Sequence, residues 1–66
     1  MQLIINGDIK QFKENITLKM VIEALNLNGK VMAAAVNMEI VKQNSWDSYF
    51  LKDMDKLELL DFVGGG

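Results

Sequence analysis

Residues 17–25 have the sequence TLKMVIEAL, in which the apolar residues recur at the spacing of a helix. Four large apolar side chains fall at positions i, i+3, i+4 and i+7 and therefore share one helical face. They are Leu18, Val21, Ile22 and Leu25. Thr17 precedes them as an N-cap, because its hydroxyl can accept from the free amides of the first turn. We predict a helix of about ten residues that closes at Leu27-Asn28-Gly29, with these four side chains in the core.

A hairpin is predicted before this helix. Met1 to Ile5 is an apolar strand, and Asn6-Gly7 is the dipeptide that best tolerates the positive φ angles of a tight turn. The second strand runs from about Asp8 to Lys13. Its apolar anchors, Ile9 and Phe12, break strict alternation, which indicates a bulge or a short strand.

A second hairpin is predicted after the helix. Val31 to Val36 is a strand, because valines and turn signals flank its alanine run, and Asn37 to Glu39 turn the chain into Ile40-Val41. Asn44 to Asp47 form an irregular or 3₁₀ segment. Within it, Trp46 is expected to plug the core and not to bind a ligand.

The remaining strands complete the fold. Phe50-Leu51 is a brief strand, Lys52 to Asp55 a polar turn and Lys56 to Val63 the last strand, parallel to the first and paired between it and a neighbour. Two hairpins separated by one helix predict an α+β chain with the β-grasp arrangement, a mixed five-stranded sheet with one main helix across one face. Residues 1–63 then form the domain, and residues 64–66 a glycine-rich tail.

Composition restricts the functions open to this domain. The 66 residues carry a formal net charge of −2, with seven lysines scattered singly, which argues against a nucleic-acid partner. No apolar run spans a bilayer and no signal peptide is evident, so we expect no membrane association. The absence of cysteine fits a reducing compartment, and we expect a cytoplasmic protein that is a monomer when free and binds no cofactor. Histidine, cysteine and arginine are absent, which argues against autonomous catalysis. Asp53 and Asp55 could suggest a metal pair, but beside lysines they are more typical of a solvated turn.

The unusual feature is the end of the sequence, where an apolar strand runs into Gly64, Gly65 and Gly66. Three glycines lose much freedom on ordering, so we expect a tail that stays mobile until a partner binds it. A tail without side chains can thread a narrow channel and present the Gly66 carboxylate to another enzyme. The alternative is a frayed terminus without function.

Residue parity on the last strand indicates where such a partner docks. Leu57 and Leu59 point to one face, and Leu60 and Phe62 to the other. Only one face meets the helix, so Leu60 and Phe62 are the candidate interface residues, with Phe62 the stronger.

Taken in order, these features resemble the sulfur carrier proteins of thiamin biosynthesis, the ThiS family. The matching residues are Ile5-Asn6-Gly7, Thr17-Leu18, Ala33-Ala34-Ala35-Val36-Asn37, Glu39-Ile40-Val41, Trp46, Leu51, Asp55 and Gly65-Gly66. Lys42 stands where that family often has proline, and Met54 where it usually has glycine. A left-handed Met54 would cost about 1–2 kcal/mol.

The resemblance implies that an E1-like adenylyltransferase uses ATP to adenylate Gly66. A sulfur donor such as a cysteine desulfurase system then converts the carboxylate to a thiocarboxylate, and thiazole synthase receives the sulfur. Three alternatives stay open: the small subunit of molybdopterin synthase, a ubiquitin-like modifier joined to lysines, and a β-grasp adaptor that needs no tail.

Overall fold

Five strands form one mixed sheet in the computed structural model, which describes residues 1–61. The elements in chain order are β1 (Gln2–Ile5), β2 (Asp8–Gln11), α1 (Leu18–Ala24), β3 (Val31–Val36), β4 (Glu39–Val41), a 3₁₀ turn (Gln43–Ser45) and β5 (Lys56–Asp61). The strand order is β2-β1-β5-β3-β4. β5 runs parallel to β1 and antiparallel to β3, so the last strand lies at the centre of the sheet. The predicted β-grasp arrangement is confirmed.

Both hairpins close through two-residue turns with positive φ at both central residues. The angles are 50° at Asn6 and 91° at Gly7 in the first turn, and 51° at Asn37 and 72° at Met38 in the second. These signs define the type I′ turn, whose twist matches that of the strands it joins. The second turn is therefore one residue shorter than predicted, because Glu39 already pairs with Val36.

The prediction for β2 was partly wrong. Its pairing with β1 is continuous from Gln2–Gln11 to Ile5–Asp8, and the strand ends at Gln11. Ile9 is 63% exposed and anchors nothing in the core, since it pairs with Ile4 on the face of the sheet away from the helix. Phe12 does pack against the core. A register shift of the kind predicted here lies instead in β3, between Val31 and Ala33.

The helix begins where predicted and ends sooner. The Thr17 hydroxyl accepts a hydrogen bond from the Met20 N–H at 3.2 Å, while the Met20 sulfur accepts from the Thr17 N–H at 3.4 Å. Asn26 adopts φ 60°, and the Leu27 N–H donates to the Ile22 carbonyl at 3.0 Å, which is the Schellman ending. The predicted end at Leu27-Asn28-Gly29 was wrong because Asn26 already takes the left-handed conformation.

One core joins the helix to the inner face of the sheet. Its largest fully buried side chains are Leu3, Leu18, Val21, Val36 and Leu57. Ile22 is also buried, whereas Leu25 is only half-buried because it caps the helix. Trp46 is buried, and its indole N–H donates to the Val41 carbonyl at 2.8 Å, which confirms its predicted structural role. In the described part of the chain, no helix is long and apolar enough to cross a membrane.

The connection between the 3₁₀ turn and β5 differs from its prediction. Phe50-Leu51 is not a strand: Phe50 forms a single bridge with Thr17, and Leu51 is buried. Met54 has φ 70°, so its left-handed conformation is confirmed, and its N–H donates to the Gln2 carbonyl at 2.6 Å. Lys42 has φ −65° and ψ 148°, which are angles that proline adopts without strain.

Candidate functional site

β5 is the element that leads to the candidate site at the C-terminal glycines. Leu57 and Leu59 are buried beneath the helix, whereas Leu60 points away from the core and is 53% exposed. The predicted parity of the strand is confirmed for these three residues. Phe62 and the three candidate tail residues lie outside the described residues. The tail residues are Gly64, Gly65 and Gly66.

Leu60 belongs to an apolar surface on the side of the sheet opposite the helix. We call this surface the open face; its residues are Ala33, Ala35, Ile40, Glu58 and Leu60. Ala33 pairs with Leu60, and Ala35 pairs with both Glu58 and Ile40, so the five side chains form neighbouring rows. They line a shallow depression of about 300 Å³, in which Glu58 is the charged residue.

The sequence reasoning identified Leu60 but missed the rest of the open face. The same two-residue alternation that was applied to the last strand, extended to β3 and β4, would have placed Ala33, Ala35 and Ile40 beside it. The missing information was the pairing of β3 with β5, because parity alone does not say which strands are neighbours.

Two asparagine side chains hold β5 from the hairpin turns. Near its start, the Lys56 N–H donates to the Asn37 Oδ1 at 3.0 Å, and the Asn37 Nδ2 donates to Asp55 Oδ1 at 2.9 Å. Further along, the Leu59 N–H donates to the Asn6 Oδ1 at 2.9 Å, and the Asn6 Nδ2 donates to the Leu59 carbonyl at 3.3 Å. The sequence analysis treated both asparagines only as turn formers.

The acidic pair in the preceding turn has a structural task. Asp53 Oδ1 accepts from the Gln2 N–H at 2.6 Å, and Asp55 Oδ2 accepts from the Lys52 N–H at 2.8 Å. These carboxylates therefore tie the turn to β1 and close it on itself. Among residues 1–61, no group of three or more acidic, histidine or cysteine side chains is placed to hold a metal ion.

A larger depression, of about 410 Å³, lies between α1 and the 3₁₀ turn. Its rim is lined by four exposed side chains, those of Lys19, Glu23, Gln43 and Asp47. The Trp46 indole also lines it, and its N–H already donates a hydrogen bond to the Val41 carbonyl. Because no buried side-chain polar atom of residues 1–61 is left without a hydrogen-bond partner, this depression is a weaker candidate site than the end of β5.

Comparison with known proteins identifies relatives of this chain. A family model, that of the ThiS family, matches residues 3–66 and thus includes the terminal glycines. The sulfur carrier protein ThiS of Bacillus subtilis (strain 168) is 32% identical over 63 residues, which cover 94% of this chain and 96% of that protein. A thiazole synthase of Paramagnetospirillum magneticum is 35% identical over 66 residues. That match covers 100% of this chain but 20% of the synthase, so the chain spans only a small part of that relative.

Comparison with solved structures identifies relatives of the same kind. The crystal structure of the thiamine biosynthesis protein ThiS from Geobacter metallireducens matches with a TM-score of 0.83 and 28% identity, covering 100% of both chains. A solution NMR structure of a thiamine biosynthesis protein from the same organism matches with a TM-score of 0.78. By sequence and by fold, this chain belongs to the ThiS family of sulfur carrier proteins.

Proposed function

We propose that this chain is the sulfur carrier of a thiamin pathway, and that its sulfur is carried as a thiocarboxylate on Gly66. The observation that carries the proposal is the family match, which extends through Gly66. The central position of β5 supports it, because a strand that pairs with β1 near its start and with β3 as far as Asp61 gives the residues that follow it a fixed starting point.

The chemistry follows from the properties of a carboxylate. A free α-carboxylate is an anion at neutral pH and resists attack by a nucleophile. An E1-like adenylyltransferase overcomes this resistance: a carboxylate oxygen attacks the α-phosphorus of ATP, pyrophosphate leaves and an acyl adenylate forms. A sulfide nucleophile then adds to the acyl carbon and AMP leaves, which yields the thiocarboxylate. The chain contains no histidine, cysteine or arginine, so its partners supply the catalytic groups and bind the ATP.

The open face supplies a surface on which such partners can dock. Leu60 and Ile40 are 53% and 72% exposed; Leu60 lies on β5, and Ile40 lies on β4, which β3 separates from β5. Exposed apolar residues that form one contiguous surface are typical of an interaction site. A partner that covers the depression must also meet Glu58, and a basic side chain is the complementary choice.

Thiazole synthase is the proposed acceptor of the sulfur. The thiazole synthase of P. magneticum contains a region similar to the whole of this chain within one polypeptide. Joining a carrier to its acceptor raises the effective concentration of one at the other, so such an arrangement supports a functional pairing. The same relatives favour thiamin biosynthesis over molybdopterin synthesis. We further propose that a cysteine desulfurase system supplies the sulfur.

Deletion of Gly66 tests the carrier mechanism directly. Intact-mass spectrometry first establishes that the purified protein ends at Gly66. After incubation with an E1-like adenylyltransferase, ATP and sodium sulfide, the wild type should become heavier by the difference between one sulfur and one oxygen atom. The deletion should abolish this gain, because the Gly65 carboxylate falls about 3.5 Å short of the partner's reacting atoms. Gly65→Val should act similarly by blocking the channel.

Thermal unfolding provides the control for these two variants. We expect neither change to shift the unfolding midpoint measurably, so that lost activity reports the reaction and not the fold. A truncated chain that gains the sulfur mass as readily as the wild type would refute the proposed mechanism.

A further inference from the structure

Asn6 and Asn37 occupy equivalent positions in the two hairpin turns. Each is the first central residue of a type I′ turn, with φ 50° and 51° respectively. Each also forms two hydrogen bonds through its side-chain amide, Asn37 at the start of β5 and Asn6 further along the strand at Leu59. Two residues with the same backbone conformation thus bind one strand at two points, its start and its middle.

The Asn6 amide takes the place of a missing piece of β1. The parallel pairing of β1 with β5 consists of Ile4–Lys56 and Ile5–Leu57, and the Asn6 N–H adds a bond to the Leu57 carbonyl at 2.9 Å. There the chain turns away at Gly7. The Asn6 side chain then presents a C=O and an N–H to Leu59, as a further peptide unit would, and so extends the parallel ladder by one step.

This extension matters because of where β5 leads. Within residues 1–61, β5 beyond Leu57 is bonded on its β1 side through the Asn6 amide alone. On its other side, Asp61 pairs with Val31 across the register shift in β3. Gly66 lies seven positions after Leu59, and an extended chain over those seven steps spans at most roughly 25 Å. Because we expect the tail to be mobile, Leu59 contributes order and not direction: each residue of β5 that is held in place is one fewer to be fixed when the carboxylate is bound.

We propose that Asn6 is a positioning residue for the activation of Gly66, because its side chain keeps β5 ordered at Leu59, in the part of the strand that leads to the tail. The inference rests on the proposed carrier function. Without the amide, Leu59 loses both of its hydrogen bonds on the β1 side, and β5 beyond Leu57 is bonded, among the described residues, to β3 alone. More backbone must then be ordered each time the carboxylate enters a partner's active site, which lowers the fraction of productive encounters.

The test compares Asn6→Gly with Asn37→Gly. Glycine accepts the positive φ of both turns, so each variant keeps its turn and loses two hydrogen bonds to the region of β5. We expect similar losses of thermal stability. With an E1-like adenylyltransferase, ATP and sodium sulfide, Asn6→Gly should lower kcat for thiocarboxylate formation about tenfold, while KM changes less than twofold because the open face still docks. Asn37→Gly should leave both constants near wild type.

Hydrogen exchange supplies a readout that is independent of the partner. In Asn6→Gly the amide of Leu59 should exchange faster than in Asn37→Gly, because that amide donates to Asn6 Oδ1. If Asn6→Gly does not fold at the assay temperature, Asn6→Asp replaces it. That variant keeps the acceptor for the Leu59 N–H and loses the donor, so kcat should fall about threefold.

The outcomes separate this inference from the proposed function. Wild type that gains no sulfur mass would remove the proposed function and this inference with it. Wild type that is activated, with equal kcat in the Asn6 and Asn37 variants, would overturn the role of Asn6 and leave the carrier function standing. A fall in kcat confined to the Asn6 variants, with faster exchange at Leu59, is the result that we expect.

Discussion

Six residues other than glycine have positive φ in the described part of the chain, and they differ in how well they tolerate it. Four are asparagines, at positions 6, 15, 26 and 37, whose short polar side chains make the left-handed conformation less costly. The other two are Met38 and Met54, at 72° and 70°. Backbone strain is therefore concentrated at these two methionines.

At Met54 this strain leads to a prediction about stability. Met54→Gly should raise the free energy of unfolding by about 0.5–1 kcal/mol, because glycine relieves the strain while giving the unfolded chain somewhat more freedom. The hydrogen bond from residue 54 to the Gln2 carbonyl uses the backbone and is retained. Urea unfolding measures the change. Met32→Gly, in the strand β3, is the control and should lower stability by a similar amount; a loss at both positions would contradict this account.

At the scale of the element, α1 shows how an early ending changes burial. The helix has seven residues, and isolated helices of that length are not stable in water, so packing of its apolar face must hold it. Leu18, Val21 and Ile22 provide that packing, whereas Leu25 has left the helical repeat and is only half-buried.

The difference in burial predicts unequal effects of the same substitution. Leu18→Ala should lower the free energy of unfolding by about 2–5 kcal/mol, because it leaves a cavity around a fully buried position. Leu25→Ala should cost about 1–2 kcal/mol, since much of that side chain is already in contact with water. Urea titration of both variants, followed by circular dichroism, measures the difference. Equal losses would show that Leu25 is as much a part of the core as the helical spacing suggested.

At the scale of the whole molecule, the sheet has two unlike faces. One is covered by the helix, and the other carries the open face at the end of β5. The open face is unlike a hydrophobic core, because it contains the charged Glu58. A wholly apolar partner would leave this carboxylate unpaired. The arrangement favours a reversible interface with a partner that brings a cation.

Leu60→Asp tests that interface without disturbing the core. Leu60 is exposed, so we expect the unfolding free energy to change by about 0.5 kcal/mol or less. Binding to an E1-like adenylyltransferase should weaken roughly 10- to 100-fold, because an apolar contact is replaced by a charge beside Glu58. Isothermal titration calorimetry measures the affinity. Phe50→Asp is the matched control: Phe50 is 59% exposed, lies outside the sheet and should leave binding unchanged. Equal weakening by both variants would contradict a specific role of the open face.

Much of the fold could be predicted because it depends on local patterns. The Asn6-Gly7 turn, the N-cap at Thr17 and the alternation of Leu57, Leu59 and Leu60 are all set by residues within a few positions of one another. The errors arose where two local sequence signals predicted different structures. Asn26 ended the helix before Gly29 could, and the alternation in β2 placed Ile9 on the exposed face.

The amino-acid sequence by itself determined the order of strands and helix, the two hairpins, the lack of histidine, cysteine and arginine, and the run of three glycines. Each of these is a local or compositional property. The tertiary structure decided which strands are neighbours, and hence which exposed residues form the open face. It also decided that the Asn6 side chain meets Leu59, 53 positions away along the chain. Such contacts depend on the register of β5 between β1 and β3, which is set by packing of the entire core and not by any short segment.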